Sequence, residues 1–136
     1  MKSINPFINF NGKCRQAMTF YKECLGGELE LMEVAGSPME ENWKGPKDQI
    51  LHASLIVNRS PVIMGSDMID QSGYTQGNNI ALALDCQSED EIRNFFEKLS
   101  QSGKVIKSLS VEFWGGLLGS VEDKFGIKWF LNYDRK

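Results

Sequence analysis

The first segments of the chain alternate between apolar and polar residues and then change to a helical period. Residues 4–10 alternate, which predicts a strand with Asn5, Phe7 and Asn9 on one face. From residue 13 the apolar positions follow a helical spacing, and a Gly-Gly pair comes after them at 26–27. This pattern predicts an amphipathic helix that packs its apolar stripe on the core and ends at glycine.

Three more strands are expected in the first half, at residues 28–34, 50–57 and 62–64. In the second of these, Leu51 and Leu55 share the apolar face, whereas His52 and Ser54 lie on the opposite face. If the helix covers the apolar face, His52 points away from the helix.

The same order of elements then begins again. A strand is expected at 80–85, and Ser88 with Glu91 three residues later forms a capping box at the start of a second amphipathic helix. Three further strands are expected at residues 105–113, 117–121 and 127–133. The two halves are weakly self-similar, since residues 19–24 align with residues 94–99.

This repeated β-α-β-β-β order predicts an α+β fold made of two βαβββ modules. We expect one domain over residues 1–136, with module one at about 1–67, a linker at about 68–78 and module two at about 79–136. A single module would leave a curved sheet half covered. Two modules, or two chains, are therefore expected to close a cupped mixed sheet with a concave inner side.

Composition and charge exclude some classes of partner. The chain has 136 residues, a formal net charge of -3 and a pI of about 5.2, so it lacks the basic footprint of a nucleic-acid partner. No apolar run approaches the roughly 20 residues of a membrane-spanning helix. The first residues lack an apolar signal core, so we expect a cytoplasmic protein with no membrane partner.

Cysteine and histidine counts limit the possible chemistry. The three cysteines include no Cys-x-x-Cys pair and are expected to be free thiols. The chain has only one histidine, which excludes any site that needs two unless a dimer supplies the second.

Short segments spread over nearly the whole chain together resemble one superfamily. They are residues 4–10, 17–21, 25–27, 51–53, 64–67, 113–115 and 123–129. In this order they resemble the vicinal oxygen chelate superfamily (glyoxalase, bleomycin resistance protein, dihydroxybiphenyl dioxygenase), and within it the PhnB-like branch. That branch is often labelled demethylubiquinone methyltransferase-like. No glycine-rich nucleotide turn follows a strand here, so methyl transfer is not expected.

The resemblance also implies where a metal would bind. Catalytic members hold one divalent ion with His, Gln and Glu, and the corresponding positions here are Asn5, Asn79, Ile63 or Met64, and Phe130. His52 matches the middle-strand histidine of the extradiol enzymes. Amides and apolar residues are poor ligands for such an ion. No metal or other cofactor is therefore expected, and His52 is the candidate ligand if a divalent metal binds.

Two residues are candidates for catalysis. His52 is a candidate proton shuttle or ligand contact, and Glu112 is a candidate general base. The alternatives are a hydrogen-bonded structural role for His52 and an ion pair with a lysine for Glu112. Trp114 and Trp43 are candidate aromatic walls, with packing as the alternative. The expected ligand-binding residues are Asn5, Phe7, Asn9, His52, Met64, Trp114 and Phe130.

Three functions are open at this point. The first is binding of a small molecule in the cup of a homodimer, as in bleomycin resistance and glyoxalase-like proteins. The second is a metal-dependent lyase or dioxygenase with an atypical site around His52. The third is a non-catalytic structural or regulatory dimer whose cup is filled by its own side chains.

Overall fold

Two four-stranded mixed sheets, each packed against one helix, form the two halves of the chain in a computed structural model. The structure describes residues 1–67 and 73–135. Residues 68–72, which begin the predicted linker, and residue 136 lie outside the described residues. Contacts divide the chain into two units, Met1–Thr75 and Gln76–Lys136, and each unit contains one sheet and one helix.

The first unit follows the predicted order of elements. Its elements are β1 (Phe7–Asn9), α1 (Cys14–Leu25), β2 (Glu28–Glu33), a 3-10 turn (Glu40–Asn42), β3 (Ile50–Val57) and β4 (Ser60–Ser66). The strands lie in the order β1-β4-β3-β2, with β1 parallel to β4 and the other neighbours antiparallel.

Helix α1 covers one face of this sheet, and it does so through the predicted apolar stripe. Ala17 and Tyr21 on the helix are fully buried, as are Ala53 and Leu55 on β3. Gly27 turns the chain into β2 at a φ of +89°, where a Cβ atom would lie 2.4 Å from a backbone carbonyl oxygen of β3. A side chain at this position would strain the turn, which explains the glycine pair that ends the helix.

The second unit repeats the same order. Its elements are β5 (Ala81–Cys86), α2 (Glu89–Leu99), β6 (Lys104–Val111), β7 (Leu117–Glu122) and β8 (Lys128–Tyr133). The strands lie in the order β5-β8-β7-β6, and β5 is parallel to β8. The Ser88 cap of α2 is confirmed, since the Ser88 hydroxyl accepts from the Glu91 backbone N–H at 3.1 Å. The Glu91 carboxylate accepts from the N–H of Gln87, one residue before the N-cap, at 3.1 Å.

The α+β class and the two βαβββ modules are thus confirmed, with corrections to the strand ends. The strand expected at residues 62–64 is longer and covers Ser60–Ser66. The first strand covers Phe7–Asn9 and not the whole of residues 4–10. The strand predicted to reach residue 113 ends at Val111, because a hairpin turn begins there. In that turn the Glu112 N–H donates to the Gly116 carbonyl at 2.8 Å, and the Gly115 N–H donates to the Glu112 carbonyl at 2.9 Å. Among the described residues, no helix is both long and apolar enough to cross a membrane.

Candidate functional site

The sheet face that points away from α1 carries most of the predicted site residues of the first unit. Strand register places Phe7 beside Met64 and Met64 beside Ser54, so the three side chains project from the same face. His52 shares this face because it lies two residues from Ser54, and Met32 is its cross-strand partner. We call this set the outer face: Phe7, Met32, His52, Ser54 and Met64.

His52 is the only titratable side chain among these five, and the carboxylate of Glu30, opposite Ser54, lies on the same face. Its ring stacks with the ring of Phe7, with centroids 5.9 Å apart and an angle of 28° between the planes. Neither ring nitrogen forms a hydrogen bond with any residue in the ranges 1–67 and 73–135. No buried side-chain nitrogen in this described part lacks a partner, so the imidazole nitrogens of the half-buried His52 reach solvent. They can therefore donate to or accept from a ligand.

The rest of the outer face is unusually apolar for a sheet face without a helix on it. Phe7 is 44% exposed and Met32 is 53% exposed, while Met64 is half-buried. An antiparallel sheet with one face on the core usually carries polar residues on the other. Met32 was not predicted as a site residue, because its position opposite His52 depends on strand register.

Asn5 and Asn9, two other predicted ligand-binding residues, make short-range contacts. The Asn5 amide forms a hydrogen bond with the Ser3 hydroxyl at 3.1 Å. The Asn9 side-chain oxygen accepts from the Asn11 N–H at 2.9 Å, at the turn between β1 and α1. These bonds favour a local structural role for both asparagines, and their role in ligand binding remains a prediction.

Glu112, the second candidate catalytic residue, lies in the second unit and is paired with a lysine. The Lys107 Nζ donates to the Glu112 carboxylate at 2.8 Å and to the Ser110 hydroxyl at 2.7 Å. The Ser110 hydroxyl donates to the same carboxylate at 3.2 Å. The hydrogen bond from Lys107 lowers the pKa of Glu112 below its usual value. A carboxylate with a lowered pKa is a weaker base, so this geometry favours the ion-pair alternative.

Phe130 and Trp114 are the predicted aromatic residues of the second unit. Phe130 lies on β8 between Ala83 and Ser120 and is 41% exposed. Trp114 lies in the β6–β7 turn and not at the end of a strand, and its ring meets that of Phe113 edge to face at 5.0 Å. Both rings are accessible in the chain, so a role in contacting a ligand remains a prediction.

Sequence reasoning missed the role of Asp67, which is buried at the end of β4. One carboxylate oxygen accepts from the Gly12 N–H at 2.8 Å and from the Cys14 N–H at 2.9 Å. The other oxygen accepts from the Ile50 N–H at 3.0 Å. Asp67 therefore serves as the N-terminal cap of α1, since the residue at the N-cap position, Lys13, makes no side-chain cap.

Asp123 has a similar structural role in the second unit. One carboxylate oxygen accepts from the Phe125 and Ile127 N–H groups at 2.8 and 3.1 Å, and the other accepts from the Trp129 indole at 2.9 Å. Trp43, the other candidate aromatic wall, is buried and donates from its indole to the Pro46 carbonyl at 3.0 Å. These hydrogen bonds indicate that Asp123 and Trp43 stabilise the loops in which they lie.

The donor set around His52 does not fit the divalent metal that catalytic superfamily members use. Within the described ranges, no group of three His, Cys, Asp or Glu side chains converges on a possible ion position. The neighbours of His52 on this face are aromatic, thioether and hydroxyl groups, and Glu30, opposite Ser54, adds a single carboxylate. Such an ion is usually held by three protein ligands drawn from imidazole, thiolate and carboxylate. His52 and Glu30 together fall short of that set.

The cysteines are free thiols, as predicted, and do not resemble reactive nucleophiles. Burial, with a smaller contribution from Asp67, raises the pKa of Cys14 to about 12. Burial, together with Glu91 and Asp85, likewise raises the pKa of Cys86 to about 12. Reactive cysteines require the opposite shift, because the thiolate is the nucleophile.

Comparison with known proteins identifies the family. The sequence profile described as 3-demethylubiquinone-9 3-methyltransferase matches residues 2–132. This chain belongs to that family. Protein YjdN of Escherichia coli (strain K12) is 30% identical over 139 residues, which cover 95% of this chain and 93% of that protein.

Two solved structures are also similar over essentially the full length. Protein PA1353 from Pseudomonas aeruginosa has a TM-score of 0.85 at 31% identity and covers 100% of both chains. The PhnB protein from Bacillus cereus, described as a putative 3-demethylubiquinone-9 3-methyltransferase, has a TM-score of 0.75 at 28% identity, covering 97% of this chain and 99% of that one.

More distant structures show the fold alone. A glyoxalase/bleomycin resistance protein from Albidiferax ferrireducens T118 has a TM-score of 0.64 at 14% identity, covering 97% of this chain and 98% of that chain. The family therefore has the glyoxalase/bleomycin resistance fold. The predicted PhnB-like family is confirmed, and its fold is the one expected from the resemblance to the vicinal oxygen chelate superfamily.

Proposed function

We propose that this chain binds a small molecule on the outer face of its first sheet, as a homodimer, without transferring a methyl group. The proposal rests on one observation about His52: its imidazole has no hydrogen-bond partner in the described ranges. It lies among half-exposed apolar side chains. A mainly apolar surface with one polar group that fixes orientation is the usual composition of a small-molecule site.

The stacked pair of Phe7 and His52 adds shape to this surface. The two rings are nearly parallel and partly exposed, and Met32 and Met64 supply polarizable thioethers next to them. A flat apolar molecule fits such a surface, because it can stack on the rings and bury their exposed area. The His52 nitrogens can then form a hydrogen bond with a polar group on its edge.

The family description names a methyltransferase, but the strand-to-helix turns do not support that activity. A nucleotide-derived methyl donor would be expected to bind at a glycine-rich turn between a strand and a helix. Residues 10–13, between β1 and α1, contain one glycine, and residues 87–88, between β5 and α2, contain none. Small-molecule binding is therefore the activity that we propose for this member of the family.

Methionine and histidine signals provide a direct test of the site. The chain has six methionines and one histidine, so methyl-labelled methionine and the single imidazole give few, assignable NMR resonances. We expect indole, or the apolar dye anilinonaphthalene sulfonate, to shift the Met32, Met64 and His52 signals together. Assignment comes from the variants Met32→Leu and Met64→Leu, which conserve side-chain volume.

Two methionines serve as controls in this experiment. Met18 is a fully buried residue of α1, and Met39 is exposed in the loop between β2 and β3, so neither signal should move. The proposal would be overturned if the probes bind without shifting the outer-face signals, or do not bind at all. Sedimentation tests the homodimer separately: we expect a species of twice the chain mass of 15.4 kDa, and a monomer would contradict it.

A further inference from the structure

Two thioether side chains flank the open imidazole of the outer face. Met32 lies directly opposite His52 on β2, and directly opposite residues have Cβ atoms roughly 4.5–5.5 Å apart. Met64 lies on β4, on the other side of β3, where it is paired with Ser54 and is therefore diagonal to His52. Diagonal neighbours are roughly 7–8 Å apart, which long flexible side chains can span.

The chemistry of these three groups selects a particular class of ion. Thioether sulfur is a soft ligand that prefers Cu(I), and imidazole binds the same ion well. Hard cations such as Mg²⁺ or Ca²⁺ require several oxygen ligands, which these side chains do not provide. Glu30, opposite Ser54 on the same face, adds negative charge near the three groups and thereby favours a cation.

Phe7 completes the surroundings of the three ligand groups. Its ring lies over the imidazole at a centroid distance of 5.9 Å, which leaves the edge of the imidazole, with its nitrogens, uncovered. An aromatic face also attracts a cation that has lost water. The arrangement thus combines soft ligands, partial shielding from solvent and an accessible nitrogen.

We propose that His52, Met32 and Met64 form a binding site for a soft monovalent cation of the Cu(I) class. This site is distinct in chemistry from the divalent metal of the catalytic superfamily members, which the donor set does not fit. It also stands apart from the small-molecule proposal, although the two share the outer face. Failure of the ion site would leave small-molecule binding unaffected.

Competing thiols must be controlled in the test. Cys14 and Cys24 are buried residues of α1, and Cys86 is half-buried and more accessible. The experiment therefore uses the full chain with Cys86→Ser. Silver nitrate in chloride-free buffer supplies Ag⁺, a soft monovalent ion that does not change oxidation state.

One equivalent of Ag⁺ should shift the methyl signals of Met32 and Met64 and the His52 imidazole signal, and leave the Met39 signal in place. Met32→Leu and Met64→Leu should each weaken Ag⁺ binding at least ~10-fold, because loss of even an outer-shell partner of a ligand costs roughly 10–100-fold in metal affinity. Met39→Leu is the matched control and should bind normally. Zn²⁺ should not produce the same shifts.

Several outcomes would overturn the ion site. Ag⁺ binding without movement of the Met32 and Met64 signals would place the ion on the remaining cysteines. Unchanged affinity in both Met→Leu variants, or equal shifts with Zn²⁺, would also contradict it. Circular dichroism measures whether each variant is folded. If one variant does not fold, the other still tests the site.

Discussion

Asp67 connects three segments of the first unit through its two carboxylate oxygens. It accepts hydrogen bonds from the N–H groups of Gly12, Cys14 and Ile50, at the turn after β1, the start of α1 and the start of β3. The carboxylate is buried, as are Cys14 and Ile50, so the N–H groups of these two residues cannot turn to water instead.

We expect Asp67→Asn to lower the free energy of unfolding by about 2–4 kcal/mol. The substitution removes the charge that strengthens the bonds and points an NH₂ group at backbone donors. Urea unfolding followed by circular dichroism measures the change. Asp48→Asn, at an exposed position, is the control and should have little effect. An equal loss in both variants would contradict the role given to Asp67.

The Glu112–Lys107 ion pair predicts a dependence of stability on pH. Lys107 lowers the pKa of Glu112 from the ordinary 4.5, so the pair stabilises the folded state above that pH and is lost as the pH falls through the lower folded pKa. Glu112→Gln should therefore melt slightly below the parent at pH 7, and the difference should vanish in acid. The effect is small because the pair is exposed.

Thermal melts at a series of pH values provide the measurement. Glu97→Gln, at an exposed position of α2, is the control, because the Glu97 carboxylate forms no ion pair within residues 1–67 and 73–135. If the melting temperature of Glu112→Gln stays below that of the parent by the same amount in acid, the carboxylate does not act through its ion pair with Lys107.

At the scale of elements, the two helices begin in different ways. The start of α2 is capped locally by Ser88, which is three residues from the N–H that it binds. The start of α1 is capped by a carboxylate 53 residues away. We expect Ser88→Ala to cost about 1 kcal/mol of stability, the usual value for loss of an N-cap.

Denaturant unfolding of Ser88→Ala tests this cap. Ser108→Ala, on the exposed part of β6, removes the same hydroxyl without touching a helix end and should leave the midpoint unchanged. If the two variants lose the same stability, the Ser88 hydroxyl does not contribute as a cap.

The order of elements could be predicted from the sequence because apolar residues recur at a helical spacing in the helices and at every second position in the strands. The stripe of α1 and the alternation of β3 are local patterns, and they correctly placed His52 on the face away from the helix. The same alternation could not reveal that β6 ends at Val111, since the turn there depends on backbone hydrogen bonds to Gly116. A pattern of apolar and polar residues therefore does not predict a strand end that is set by backbone hydrogen bonds.

The candidate site could be predicted only in part, for the same reason. His52, Phe7 and Met64 follow from alternation within single strands. Met32 follows only from the register between β2 and β3, and that register changes at Met32 itself. The cap by Asp67 joins positions far apart in the chain, so no local pattern in the sequence contains it.

At the scale of the whole molecule, the cysteines report on the two units separately. Cys14 and Cys24 lie on α1 in the first unit, and Cys86 lies in the second. Burial raises the pKa of Cys14 and of Cys86 to about 12, so little thiolate is present at pH 8 in the native chain.

We expect iodoacetamide to label the native chain slowly, with Cys86 reacting first because it is the least buried of the three. As urea is raised, Cys14 and Cys24 should become reactive at the same concentration, since one helix protects both. Mass spectrometry of the labelled peptides measures this, and the fully denatured chain gives the limit of three labels. Different midpoints for Cys14 and Cys24 would show that α1 does not open as one element.

The distant cap of α1 also has a consequence for how the chain acquires its structure during synthesis. Helix α2 has its cap in place as soon as Glu91 follows Ser88 out of the ribosome. The N–H of Cys14 must wait for a residue 53 positions later, which at ~5–20 residues per second is a delay of roughly 3–10 s. During that interval α1 has no carboxylate at its start. We therefore expect α1 to reach its full stability only after Asp67 has been synthesised.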